Sequence, residues 1–166
     1  MSIGDGGAAL VTSYFLIKLI HILSSTLLFG TGLGTAFYMW RAHRSGDVRV
    51  LMVVSKNVVL ADWIFTLPTV IIQPVTGWLM IEQLGLPVST PWIMWSIALY
   101  LLIGCCWLPV VWIQIKVAQH SAWLFNSQRS LDNRIQRLMR WWYTLGWPAF
   151  IGVIIVFYLM VVKPAI

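Results

Sequence analysis

Four long apolar stretches separated by short polar ones make up most of the chain. They run from about Tyr14 to Trp40, Val58 to Ile81, Trp92 to Val117 and Trp141 to Val162. Each is long enough to cross the hydrocarbon core as a helix with some tilt, which takes about 20 residues. The pattern predicts an all-α fold, a four-transmembrane-helix bundle, with residues 1–166 as a single integral membrane domain. The first stretch is expected to be a true span and not a cleavable signal. It has no basic leader, its apolar run far exceeds a signal's, and no small-residue cleavage site precedes the polar loop that follows. No internal repeat or low-complexity tract is visible.

Inside the spans the polar residues recur at helical spacing. Asp62, Thr66, Thr69, Gln73, Thr76 and Met80 share one face of the second span, and Tyr14, Lys18, His21, Ser25 and Gly32 form a stripe on the first. Ser96, Tyr100, Trp107 and Gln114 share a face of the third. Such faces are expected to point at protein, because a polar group facing lipid is costly unless paired or used. Pro68, Pro74 and Pro109 interrupt two of these helices and free backbone carbonyls. The second-span threonines and Gln73 therefore have two readings, repair of a kinked helix or lining of an internal polar site. Gly30 and Gly34 form a GxxxG pair, whose ordinary meaning is close helix packing and which also admits a flat ligand. Asp62 lies about 20 Å in level from Lys18, so its expected partner is an arginine or lysine nearer the second span's start.

Charge then orients the spans. The chain is 60% hydrophobic and 10% charged with net charge +6, against roughly 25% charged in a soluble domain. Nucleic acid is excluded as a main partner, because the positive residues serve as topology signals. Nine of eleven Lys/Arg lie in two loops, from Arg41 to Lys56 and from Lys116 to Arg140. The positive-inside rule puts both loops in the cytoplasm and both termini outside, in a bacterial inner (cytoplasmic) membrane. Tryptophans mark the borders: Trp78, Trp92 and Trp95 outside, Trp40, Trp63, Trp123, Trp141 and Trp142 inside. Trp107 and Trp147 lie deeper, as packing residues. From Gln119 to Arg140 the chain reads as a basic helical extension whose apolar stripe, Leu131, Ile135 and Leu138, is expected to lie on anionic headgroups. Cys105 and Cys106 are adjacent in an apolar run, a spacing that fits neither a disulfide framework nor a metal site.

Candidate chemistry centres on His21, the one histidine at bundle depth; His43 and His120 sit at the cytoplasmic ends. A histidine facing a bundle interior binds haem iron, relays protons or hydrogen-bonds a neighbour. With Lys18 one turn away for a propionate, the reading is a haem b site of His21, Lys18, Tyr14, Ser25, Gln73 and Thr76, with His21 as the metal ligand. The iron is then five-coordinate, or takes Met80, Met94, Met160 or a ligand from a second subunit.

The run Leu16-Ile17-Lys18-Leu19-Ile20-His21, the glycines after it, and Ala36-Phe37-Tyr38 before a basic turn resemble the first span of HemJ-type protoporphyrinogen oxidases. The ending Val161-Val162-Lys163-Pro164 resembles theirs too. That likeness implies His21 as haem ligand with Lys18 as its companion. It breaks in the third span, where those proteins place basic residues and this chain has Trp92-Ile93-Met94-Trp95-Ser96. Over nearly the whole chain, Asp62-Trp63-Ile64-Phe65-Thr66-Leu67-Pro68, Gln73-Pro74-Val75-Thr76-Gly77 and Trp147-Pro148-Ala149-Phe150 are similar to an uncharacterised family of predicted bacterial integral membrane proteins, a domain of unknown function.

These readings together give a membrane b-type haem protein in electron transfer or haem-linked oxidation, embedded in the lipid bilayer. Its partners are a quinone or a hydrophobic reductant. The alternative is a non-catalytic subunit or assembly factor of a larger inner-membrane complex, or a homo-oligomer. A transporter is disfavoured for want of an inverted repeat. The topology is directly testable. A reporter active only outside the cytoplasm, fused after Ile166, is expected to work, and activity of a cytoplasm-only reporter at that point would reverse the orientation.

Overall fold

The structure, a computed structural model, describes residues 3–164, with side chains from residue 11 onward. Ile166, used above for topology, lies outside the described residues. Among the described residues there is no strand. The elements are α1 (Ile3–Ser45), α2 (Val48–Ala61), a π-helical turn (Asp62–Thr66), α3 (Leu67–Leu84), α4 (Pro91–Asn126) and α5 (Asn133–Val162). Four helical rods are long and apolar enough to cross a membrane, α2 to α3 counting as one rod, Val48–Leu84.

Local chemistry sets the ends. Gly46 at φ +71° turns the chain out of α1, and the Asp47 carboxylate then caps α2 by accepting the Arg49 and Val50 N–H groups at 2.7 and 3.3 Å. Asp132 caps α5 in the same way through Arg134 and Ile135, at 3.1 and 3.0 Å. Each such cap stabilises its helix by about 1 kcal/mol. At the opposite end Gly85, φ +60°, closes α3, and Pro91 opens α4 where its missing N–H costs nothing. Lys163 ends α5 in the left-handed region, and its Nζ lies 5.5 Å from the Trp92 ring.

The rods are longer than the apolar stretches that predict them. Thirty-seven residues of α2 to α3 span about 55 Å, against about 30 Å of hydrocarbon. The excess lies at the basic end, and the packed core sits there: Met39 and Ala42 of α1, Leu51 and Val58 of α2, Val117 and Leu124 of α4, Ile135 and Met139 of α5. Leu131 and Leu138 pack against it. The expected headgroup helix is therefore corrected. Leu131, in the connection before α5, and Ile135 and Leu138 in its first turns pack inward on this core, and the arginines of those turns face outward. Cations sit over border indoles there, Arg41 and Arg44 on Trp40, Lys116 on Trp112 and Arg129 on Trp123.

Toward the opposite end α1 packs on α3 and α4 on α5, while α2 bridges α1 and α4. The α4–α5 contact is tight at Gly152, where an added Cβ would lie 2.8 Å from Ile103 Cγ1. The GxxxG pair behaves otherwise, since a Cβ at Gly30, Gly32 or Gly34 would meet nothing within 4 Å. Its expected role in packing two helices of one chain is not what these glycines do.

Candidate functional site

The prolines of the second rod organise the polar chemistry around it. Pro68 has no N–H, and just before it the ladder widens so that the Leu67 N–H reaches back to the Asp62 carbonyl. Pro74 likewise leaves the Val70 carbonyl without its helical donor, and the Tyr100 hydroxyl of α4 donates to that oxygen. Thr69 and Thr76 donate to carbonyls of their own helix, Phe65 and Ile72, at 2.9 and 2.7 Å. Neither carbonyl is the one four residues before Pro68 or Pro74, so these hydroxyls bond back to their own helix without repairing what the prolines free. Thr66 and Gln73 do something else.

Gln73 Nε2 donates across to α1, to the His21 carbonyl at 2.8 Å and to the Ser24 hydroxyl. His21 Nδ1 lies 2.7 Å from Thr76 Oγ1. Thr76 Oγ1 also lies 2.7 Å from the Ile72 carbonyl; with its one proton assigned there, His21 Nδ1 is the donor in that contact and Nε2 keeps the lone pair. Gly77 lies beside the ring, where an added Cβ would stand 3.6 Å from His21 Cε1, an ordinary contact. Three of the sequence-predicted site residues, His21, Gln73 and Thr76, therefore meet, with Ser24 as an unforeseen fourth. The other three do not join them. Lys18 is exposed with its Nζ 5.9 Å from the Tyr14 ring, and Ser25 donates to the Ile22 carbonyl of its own helix at 2.8 Å.

A second cluster lies nearer the basic end. Thr66 Oγ1 donates to Asp62 Oδ1 at 3.0 Å. Gln114 of α4, with its amide turned so that both neighbours are satisfied, donates to Asp62 Oδ2 at 2.6 Å and accepts from Trp142 Nε1 of α5 at 3.3 Å. Asp62, Thr66 and Gln114 are at most 6% exposed. The expected ion pair of Asp62 is corrected: the carboxylate is held by two neutral donors, and among the described residues the one acidic side chain in an ion pair is Asp132, with His120 at 2.7 Å. Burial pushes the Asp132 carboxyl up, but the His120 hydrogen bond, the two capping N–H groups and the His120 charge outweigh it, so it stays below the usual range.

Asp62, Thr66 and Gln114 form the polar floor of a cavity of about 580 Å³. Its walls come from α1 (Leu28, Phe29, Gly32, Leu33, Thr35, Ala36, Trp40), α4 (Ile103, Trp107, Val110) and α5 (Trp142, Tyr143, Gly146, Trp147, Ala149, Phe150, Val153). Leu33, Trp40 and Trp147 are also exposed, so the cavity reaches the lipid-facing surface. Trp107 and Trp147, expected as packing residues, line it instead. None of the six predicted site residues is among its walls, and neither is any histidine, methionine or cysteine. Counted along the helices from the turns the structure shows, at Asp47, Ser127 and Asp132, the three floor-level residues Asp62, Gln114 and Trp142 lie about 22, 20 and 15 Å in at 1.5 Å per residue; the basic segments of the sequence, which run into the helices, hid that common level.

The fold and site define a four-span integral membrane protein with a lipid-accessible cavity floored by a buried carboxylate and amide. Residues 15–164 match the family described as "Predicted integral membrane protein (DUF2269)", and the chain belongs to that family. No curated protein and no solved structure matches it.

The floor has a measurable weight. Replacing Gln114 by Leu strips partners from both Asp62 Oδ2 and Trp142 Nε1, and a buried polar atom left unpaired costs about 1–3 kcal/mol. Gln114→Leu is expected to lower the thermal midpoint in detergent, and adding Trp142→Phe, which removes the orphaned N–H, should recover part of it. Additive losses would show that the two groups are not coupled.

Proposed function

We propose that the chain binds a flat-headed amphiphile of the quinone class in this cavity and serves membrane electron transfer with it. The observation that carries this reading is the pairing of one polar floor with otherwise apolar, tryptophan-rich walls. A ring with carbonyl or hydroxyl oxygens finds a cluster of hydrogen-bonding groups at Asp62, Thr66 and Gln114, with Tyr143 in the wall, while Gly32, Ala36, Gly146 and Ala149 leave flat wall on either side. The volume lies within the range of small-molecule sites, about 300–1,000 Å³. The tail leaves past Leu33 and Trp147 into lipid.

A second reading is haem b on His21, and one observation favours it. Donation of Nδ1–H to Thr76 fixes the ring and leaves Nε2 free, the arrangement in which a ligating histidine is held by its other nitrogen. The cavity supplies no iron ligand of this type, so the group would lie along the α1–α3 pair, with Lys18 exposed nearby for a propionate. Haem would supply one-electron chemistry there; the chain's own part is to hold Nε2 in place. As a subunit of a larger complex, the chain would present the same two sites.

The cavity is tested by titrating the protein in nanodiscs with decylubiquinone. Quenching of the Trp107, Trp142 and Trp147 fluorescence is expected in wild type and should be lost in Gly32→Leu and Gly146→Leu. Both residues face open space, so the leucines occupy the cavity and not the fold. Equal quenching in all three proteins would place the probe elsewhere. Haem is tested by absorption spectra with and without dithionite after haem supplementation. The Soret band should vanish in His21→Ala and persist in His43→Ala and His120→Ala; a band retained in His21→Ala removes that residue from the site.

A further inference from the structure

Tyr143 is the wall residue that also faces the other way. Its ring lines the cavity, yet its hydroxyl lies 3.1 Å from His43 Nδ1 on α1. The opposite nitrogen, His43 Nε2, lies 3.1 Å from Oε1 of Gln136, an exposed residue near the start of α5. With the amide oxygen as acceptor, Nε2 carries the proton, and the neutral ring's Nδ1 lone pair accepts the Tyr143 O–H. The Tyr143 oxygen keeps a lone pair for a further hydrogen bond. A donor–acceptor chain therefore runs from Tyr143, a residue of the cavity wall, through His43 to exposed Gln136 at the basic end. Along that surface stand Arg41 and Arg44, whose guanidinium groups sit over Trp40.

We propose that Tyr143 and His43 relay protons between the cavity occupant and the water at the basic end. The proposal rests on the quinone-class reading of the cavity. When a one-electron acceptor, such as a haem or iron–sulfur protein of the membrane, takes an electron from a bound hydroquinone, the hydroxyl of that ring becomes acidic. Its O–H bond breaks as a new O–H forms on Tyr143; the original Tyr143 proton moves to His43 Nδ1; and the ring releases its Nε2 proton to water beside Gln136. The ring then resets by rotating so that Nδ1 gives its proton to that water while Nε2 takes one from it, and by rotating back, with no net proton gained or lost. A second electron and proton leave by the same steps, so the hydroquinone becomes a quinone with two electrons passed to the acceptor and two protons to the water. Both nitrogens of His43 are needed, one facing each side. The histidine that sequence reasoning set aside as terminal is the one placed for this work, because α1 continues past the hydrocarbon and brings its last turn against α5.

The test uses the full chain in nanodiscs loaded with decylubiquinol, oxidised by a laser flash on a ruthenium photo-oxidant in the water. Absorbance reads the semiquinone, and a pH dye reads the released proton. Wild type should release the proton with a solvent deuterium isotope effect. Tyr143→Phe and His43→Ala should slow release by about 100-fold, both read at saturating probe; in His43→Ala, outside the cavity lining, probe affinity read by tryptophan quenching should stay unchanged. Added imidazole should restore His43→Ala and leave Tyr143→Phe slow, a rescue that a purely structural role would not produce. Unchanged release rates in both variants with the probe bound overturn the relay and leave the cavity reading standing. A wild-type chain that binds no decylubiquinol overturns the cavity reading itself, and the relay with it.

Discussion

A carboxylate near the lipid border can stay only if something there donates to it, and the arrangement around Asp62 follows from that requirement. Its two donors come from different rods. Thr66 is one turn along the same helix, and Gln114 reaches over from α4, itself held by the Trp142 indole of α5. The chain of hydrogen bonds therefore fixes the depth of three helices relative to one another. Apolar packing in lipid does this poorly, since lipid tails are as apolar as leucine. The cavity exists because α1, α4 and α5 are positioned around this fixed point without closing over it.

The prolines supply the geometry. Pro68 would force its ring against the carbonyl four residues earlier in a regular helix, and the widened turn from Asp62 to Thr66 relieves that while keeping Asp62 on the inner face. Pro74 leaves the Val70 carbonyl to be met by Tyr100, which ties α4 to α3. Backbone defects that would be costly alone thus become the places where rods are joined. The residues that build the two clusters and Thr69, which bonds back to its own helix, share one stripe, which is why spacing could not assign them.

The four spans, the inward-facing second-rod stripe and the meeting of His21 with Gln73 and Thr76 were legible in the sequence, because helical period and the cost of polar groups in lipid are both local rules. Three things were not. The partner of Asp62 was sought among cations, since the neutral Gln114 carries no charge to advertise it. The stripe of Leu131, Ile135 and Leu138 looked like a membrane-surface face, since amphipathicity records that one side is covered without saying by what. The glycines of α1 looked like a packing motif; the glycine that seats a neighbouring helix is Gly152, against Ile103, in a run whose composition does not set it apart.

The placement of the core has a consequence for what drives folding. Leu51, Val117, Leu124, Ile135 and Met139 are buried at the same levels where Arg49, Lys56, Lys116, Arg134 and Arg137 need water or headgroups. That end of the bundle is therefore assembled by expulsion of water from apolar surface, as in a soluble protein, and not by lipid-phase contacts. Its stability carries a heat-capacity signature and weakens in urea. The lipid-embedded end has neither lever. The cavity, which shares Val110 and Trp142 with that core, lies where the part of the protein that answers to the solvent meets the part that answers to the bilayer.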